Sequence, residues 1–400
     1  MAIPRVRNYR GPGILSYGFR PFFFFGAVQA SLVMLVWLPL FYGTVEISSL
    51  FGAVQWHSHE IFFGYLAAII TGYLFTSVPN WSGRMPLQGA PLLLLLLVWM
   101  AGRVAVSFSA YLGWELTLVI DLAFLTLVVF VIGNEIISGR NWRNLKILLP
   151  ATVFWLANLG FHLEAHVDGM AFYSERLALS VAITLIMLIG GRIVPSFTRN
   201  YLARQSPGRL PTPFGRFDIA ATSLAVIALG AWILLPAGIV VAALMGIAGI
   251  LHLIRLARWA GERVAGDFVV AILHVSYLFI PAGFLLLALS NTWPADISPV
   301  AGIHALGVGA IGSMTLSVMI RSTVSLTGGV LKTNMKIRLI LMLVWIAALA
   351  RIAAALYAPA MDILLEIAAA AWVLAFAGFS AAFAPMLFRR RGAGASRPGA

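Results

Sequence analysis

Trp56-His57-Ser58-His59-Glu60 runs directly into Ile61-Phe62-Phe63-Gly64-Tyr65-Leu66 and on through apolar sequence to Pro79. The run from 57 to 79 is long enough to cross a bilayer, which takes about 20 mostly apolar residues. Two histidines and a carboxylate therefore stand at the mouth of a membrane helix. Ionisable groups are rare in such places, because each costs about 2.5 kcal/mol or more near the helix centre. Those that occur are the strongest pointers to function. The pattern returns at Asn158, His162 and Glu164, and again at His304.

The rest of the chain has the same character. Of its 400 residues 61% are hydrophobic and only 10% charged, with a mean hydropathy of +0.95. Soluble domains carry about a quarter charged residues, so the soluble classes are excluded. The net charge of +13 comes from basic residues placed between apolar runs. That is the distribution of topology determinants and not of a nucleic-acid face. There is no cysteine. Disulfides, iron–sulfur clusters, zinc thiolates and covalently attached c-type haem are thereby excluded. Any metal must be held by His, Met, carboxylate or backbone. The first apolar run, 22–42, is long enough to span and reads as a retained helix, not a cleaved signal.

Twelve spans follow: 22–42, 57–79, 88–108, 113–136, 146–166, 174–195, 217–236, 238–258, 267–289, 299–320, 336–357 and 362–387. With the amino terminus inside, all of the 27 Lys and Arg except Arg103, Arg176 and Arg351 fall on the inner side. The positive-inside rule then places both termini in the cytoplasm. The expected fold is all-α, a polytopic membrane bundle of twelve transmembrane helices. Residues 1–21 form a cytoplasmic segment, 22–388 a single twelve-helix domain and 389–400 a disordered basic tail near anionic lipid. Pro39, Pro236, Pro281 and Pro385 fall near helix ends or kinks.

Depth sorts the histidines. His57, His59, His162, His166 and His304 lie at one level, in the outer part of the bilayer, and His252 and His274 lie further in. His57 and His59 are about 200° apart around a helix and cannot share a centre unless the helix is distorted. Asn158, His162 and His166 share a face. The His57 face continues through Gly64, Ala68 and Thr71, against which a flat macrocycle could lie; the alternative is a small-residue packing face ending at Gly72. His166 reads as interfacial and His252 as snorkelling beside Arg255 and Arg258. Imidazole suits haem iron and copper alike. Asp121 and Glu60 are buried acids that either supply protons to such a centre or belong to ion pairs. Arg103 and Arg351 are placed to pair with haem propionates, or with Glu115 and Asp362.

The chain resembles the NnrS family of haem- and copper-containing bacterial membrane proteins linked to nitric oxide. The motifs that carry the resemblance span nearly the whole length. They are Ser16-Tyr17-Gly18-Phe19-Arg20-Pro21-Phe22, Trp56 to Glu60 with Phe63-Gly64-Tyr65, and Val78-Pro79-Asn80-Trp81-Ser82-Gly83-Arg84. Further matches are Gly190-Gly191-Arg192 to Asn200, Leu273-His274, and His304-Ala305-Leu306 through Met314-Thr315-Leu316 to Arg321. The resemblance implies a role in nitric oxide metabolism or nitrosative protection in the bacterial inner membrane, with b-type haem and copper bound. It favours His57, His59, His162, His274 and His304 as the metal-binding set, with electrons from a separate donor or the quinone pool. One departure stands out. Where the family reads Leu-Gly-His-Thr-Gly-Arg, this chain has Val324-Ser325-Leu326-Thr327-Gly328-Gly329. Two other readings stay open, a twelve-helix secondary transporter and a haem-based nitric oxide sensor without turnover.

Overall fold

The computed structural model describes residues 9–82, 86–140, 142–205, 207–331 and 333–390. Arg84, Lys332 and Arg391, counted above among the inner-side charges, lie outside the described residues, as do residues 1–8 and the tail from 391. Twelve long helices are present among the described residues, with no strand. They are α1 (Phe19–Phe41), α2 (Ala53–Pro79), α3 (Ala90–Ser107), α4 (Trp114–Ser138), α5 (Leu148–Val167) and α6 (Phe172–Leu202). Then follow α7 (Arg216–Leu234), α8 (Ile239–Ala257), α9 (Phe268–Thr292), α10 (Pro299–Leu326), α11 (Met335–Leu356) and α12 (Met361–Phe388). Eleven are long and apolar enough to cross a membrane. The exception is α5, whose apolar character is diluted by Asn158, His162, Glu164 and His166. The expected count of twelve spans thus falls to eleven on length and composition.

The chain divides into two compact units. The first comprises the chain up to Glu175, Ile320–Leu331 and the chain from Phe376. In it α1 packs on α2, α3 on α4, and α4 on both α2 and α5. The face Gly64, Ala68, Gly72 is a packing face: Gly26 meets Ala68, and the Phe23 ring and the Phe22 Cβ close over Gly72. That occupancy corrects the idea of a macrocycle lying along this face. Arg20 is buried and donates to the carbonyls of Gly13, Leu387 and Arg389, at 3.2, 3.0 and 2.8 Å. It satisfies carbonyls at the end of α12 that no helical N–H can reach. α10 ends as a Schellman motif, with Gly328 at φ 89° and the Gly329 N–H donating to the Val324 carbonyl.

The second unit comprises Arg176–Met319 and Lys332–Ala375. Its helices α7 to α11 pack each on the next. Side chains cap three of them: Asp267 accepts from Val269 and Val270, Ser298 from Val300, and Asn334 from Ile337. Such caps supply acceptors for the orphan amides of a first turn.

Among the described residues each unit holds one π-helical stretch, Glu60–Leu66 in α2 and Ala305–Gly312 in α10. Each begins at the residue after a histidine, His59 or His304. π-turns are uncommon and frequent at functional sites, because the added residue re-aims the side chains around it. In α2 the widened turn offers the Gly64 carbonyl to the Trp99 indole N–H at 3.0 Å.

Candidate metal centre

Asp121 of α4 is the hub of the first unit. One carboxylate oxygen takes a short hydrogen bond from Nη2 of Arg103 on α3. The other lies 2.9 Å from Asn158 Nδ2, 3.1 Å from His162 Nε2 and 3.2 Å from His59 Nε2. Arg103 also donates from Nη1 to Glu60 Oε1 at 2.6 Å, and Gln29 of α1 donates to Glu60 Oε2 at 2.6 Å. His59, Glu60, Asp121, Asn158 and His162 are all buried, His59 and Glu60 completely.

The local sequence explains this convergence. Asn158 and His162 are one turn apart on α5, so both meet α4. His59 and Glu60 straddle the junction between α-helix and π-helix in α2. Gly102 on α3 has no side chain, and the space a Cβ would fill is taken by the Asp121 carboxylate. Phe51, Phe63 and Phe161 surround the His59 ring at centroid distances of 5.1 to 5.2 Å and shut out solvent.

Both nitrogens of His59 face oxygen. Nδ1 lies 3.3 Å from Glu60 Oε1, and Nε2 lies 3.2 Å from Asn158 Oδ1 as well as near Asp121. The cluster counts two carboxylates against one guanidinium. Buried charge is expensive unless it is balanced. One more positive charge, a proton on His59 or a metal ion, would complete it. His59, Asp121 and His162 each offer a ligand atom, all within 4.8 Å of one another. Among the described residues they are the one such group.

The other expected residues lie elsewhere. His57 lies tilted at 33° against Trp37 of α1, 4.6 Å between ring centroids, facing away from His59 as the spacing requires. His166 is exposed and stacks on Trp114 at 4.1 Å. Glu164 accepts from the amides of Tyr173 and Ser174 at the start of α6 and serves as its cap. Arg103, expected near a propionate or Glu115, is occupied by Glu60 and Asp121. Arg351 sits half-buried on α11 in the second unit.

In the second unit His304 has Nδ1 2.9 Å from the Val300 carbonyl, so Nδ1 carries the proton and Nε2 the lone pair. Gly307, three residues on, has open space where a Cβ would stand. His274 donates from Nε2 to Thr198 Oγ1 at 2.8 Å, since that hydroxyl already donates to the Val194 carbonyl. Its Nδ1 has no hydrogen-bond partner. His252 requires a correction. It does not snorkel but is fully buried beside an equally buried Arg255, because Asp218, 2.9 Å from Arg255 Nε, neutralises the arginine in place.

The site residue that the sequence reading leaves out is Gln29; Asn158 already stands with His162 and Glu164 among its polar markers. A lone polar residue in an apolar span, as at Gln29, is the signal that could have found it.

A search of curated proteins finds no match to the chain. Residues 13–391 match a family model described as NnrS protein. With nearly the whole chain covered, helices and buried cluster included, the protein belongs to the NnrS family.

Proposed function

We propose that this protein is a twelve-span inner-membrane protein of the bacterial response to nitric oxide, with both termini cytoplasmic, and that its first unit holds a copper ion at His59, His162 and Asp121. The observation that carries this reading is the buried His59–Asp121–His162 group. Two imidazoles and a carboxylate suit copper, and thiolate is unavailable. The acid-rich balance of the cluster favours a bound cation. α5 counts as the twelfth span, its polar face turned onto α4.

The second unit offers a fit for b-type haem at His304. The Val300 carbonyl orients the ring, as carbonyls do behind metal-ligating histidines. No atom lies within 4 Å of the Cβ position at Gly307, so a flat group set against the helix there would meet no side chain at that point. When bound, copper and haem iron supply one-electron chemistry at centres able to bind a neutral diatomic gas. The chain's own groups do the rest. Arg103 fixes both carboxylates, so Asp121 presents one oxygen inward and Glu60 keeps an oxygen against His59 Nδ1. Glu60 thereby takes the Nδ1–H of His59, aims Nε2 at the centre and is the carboxylate placed beside it to supply protons, and Gln29 holds the far oxygen of Glu60. Phe51, Phe63 and Phe161 exclude water and leave apolar access for the gas. Electrons come from a separate donor or quinone.

Metal analysis and reduced optical spectra of the purified protein, with and without nitric oxide, test this. His162→Ala and Asp121→Asn should lose copper while the haem band stays, and His304→Ala should lose the haem band. Wild-type copper content in His162→Ala, or no metal in carefully loaded protein, would sink the assignment.

A further inference from the structure

The second unit contains a buried polar chain with a fixed sense of donation. Arg255 of α8 donates from Nη1 to the Tyr277 hydroxyl oxygen at 2.9 Å. A guanidinium is only ever a donor, so the phenol's single proton is left for its other neighbour. That neighbour is His252 Nδ1, also at 2.9 Å. His252 Nδ1 must then be the acceptor and Nε2 the protonated nitrogen. Arg255 is held in turn by Asp218 at 2.9 Å and by the Met187 carbonyl at 3.1 Å. Tyr277, His252 and Arg255 are all fully buried. The Trp259 ring, 2% exposed, meets the Tyr277 ring edge-on at 4.6 Å. The His274 ring lies 6.4 Å from the Trp259 ring. Phe284 lies 5.9 Å from His252, and Arg258 reaches Asp218 at 3.9 Å.

We infer that Tyr277 is a redox-active tyrosine, with His252 as the acceptor of its phenolic proton and Trp259 as the adjoining ring through which the electron leaves. A phenol loses an electron at accessible cost only if its proton leaves too, and in a dry interior the base must already be in place. A network needed only to satisfy buried polar atoms would be served by a carbonyl. Here the phenol is aimed at an imidazole nitrogen whose lone pair is in place to receive the proton as the electron leaves.

The step balances with a bilayer-soluble one-electron oxidant, of which nitrogen dioxide is an example. One electron passes from Tyr277 to the oxidant, giving nitrite. The O–H bond breaks, its proton binds His252 Nδ1, and a neutral phenoxyl radical remains beside an imidazolium. A one-electron reductant, with return of that proton, restores the phenol. Arg255 keeps its hydrogen bond to the oxygen throughout, and Asp218 offsets its charge. The step is independent of the metal centre in the first unit.

The test uses metal-free, full-length protein in lipid nanodiscs, exposed to nitrogen dioxide from pulse radiolysis, freeze-quenched and read by electron paramagnetic resonance. The wild type should show a hydrogen-bonded tyrosyl radical that Tyr277→Phe removes. His252→Gln preserves a hydrogen-bond acceptor but no base, and should slow radical formation about a hundredfold. On the wild-type chain, solvent deuterium should change the hyperfine pattern of the radical. A signal unchanged in Tyr277→Phe, a wild type with no tyrosyl radical, or a His252→Gln rate equal to wild type would overturn the inference. Because no metal is present, failure here leaves the copper assignment standing.

Discussion

Arg103 serves two carboxylates, Glu60 and Asp121, whereas Arg255 and Arg258 share the single carboxylate of Asp218. Both groups are buried in helical units, and both contain histidine, yet their chemistry diverges. In the first, acid is in surplus and His59 and His162 face a carboxylate, so the group could hold a cation. In the second, base is in surplus and His252 faces a phenol, so nothing there attracts a metal. The sign of the uncompensated charge, more than the number of histidines, decides what each group can hold.

Removing the central arginine should expose that difference most strongly. Arg103→Leu leaves two buried carboxylates without their guanidinium and should cost about 3–5 kcal/mol, read from denaturation in detergent. Arg255→Leu should cost less, because Arg258 remains near Asp218. Equal losses would break the comparison. Each centre also depends on a glycine. A Cβ at Gly102 would run into the Asp121 carboxylate, and one at Gly191 into the Arg255 guanidinium. Gly102→Ala and Gly191→Ala should each destabilise by about 1–3 kcal/mol, and only Gly102→Ala should lower metal uptake as well.

A change behind the ligands sharpens the first centre further. Glu60→Gln should weaken metal binding about 10–100-fold without abolishing it, as loss of a second-layer carboxylate does. An unchanged affinity would mean that Glu60 serves only Arg103. The smallest effect belongs to an exposed pair in the loops that follow α6 and α8. Arg209 grips both oxygens of Glu262, at 2.7 and 2.6 Å, and this hydrogen bonding holds the Glu262 carboxyl below its usual 4.5. A lowered carboxyl stabilises the fold above its unfolded pKa, and that stability is lost as pH falls through the folded value. The pair is largely exposed, so Glu262→Gln should cost about 0.5 kcal/mol or less at neutral pH. The difference from wild type should vanish in melts run well below pH 4.5.

Much of this organisation is legible in the sequence. Apolar runs of membrane length fix the helices, and their ends lie within about four residues of those found, except that α6 runs on from 195 to Leu202 and α10 from 320 to Leu326. His59, Glu60, Asp121 and His162 stand out because ionisable groups in such runs need a reason. Spacing alone separates His57 from His59. Arg103 was visible too, but its partners were not, since Glu60 and Asp121 lie on other helices with apolar sequence between. His252 was misjudged for the same reason: its neighbour Arg255 suggested a surface, and only Asp218, far back in the chain, makes burial affordable.

The sequence by itself determined an all-helical membrane protein, its family and the polar residues worth following. It did so because a bilayer imposes length and apolarity residue by residue, a local constraint. Tertiary structure alone decided which acids meet which bases, that Arg103 is spent on two carboxylates, and that the Tyr277 proton is committed to His252. Those are matters of charge balance between distant helices, and pairwise contact in three dimensions carries no local mark in the chain.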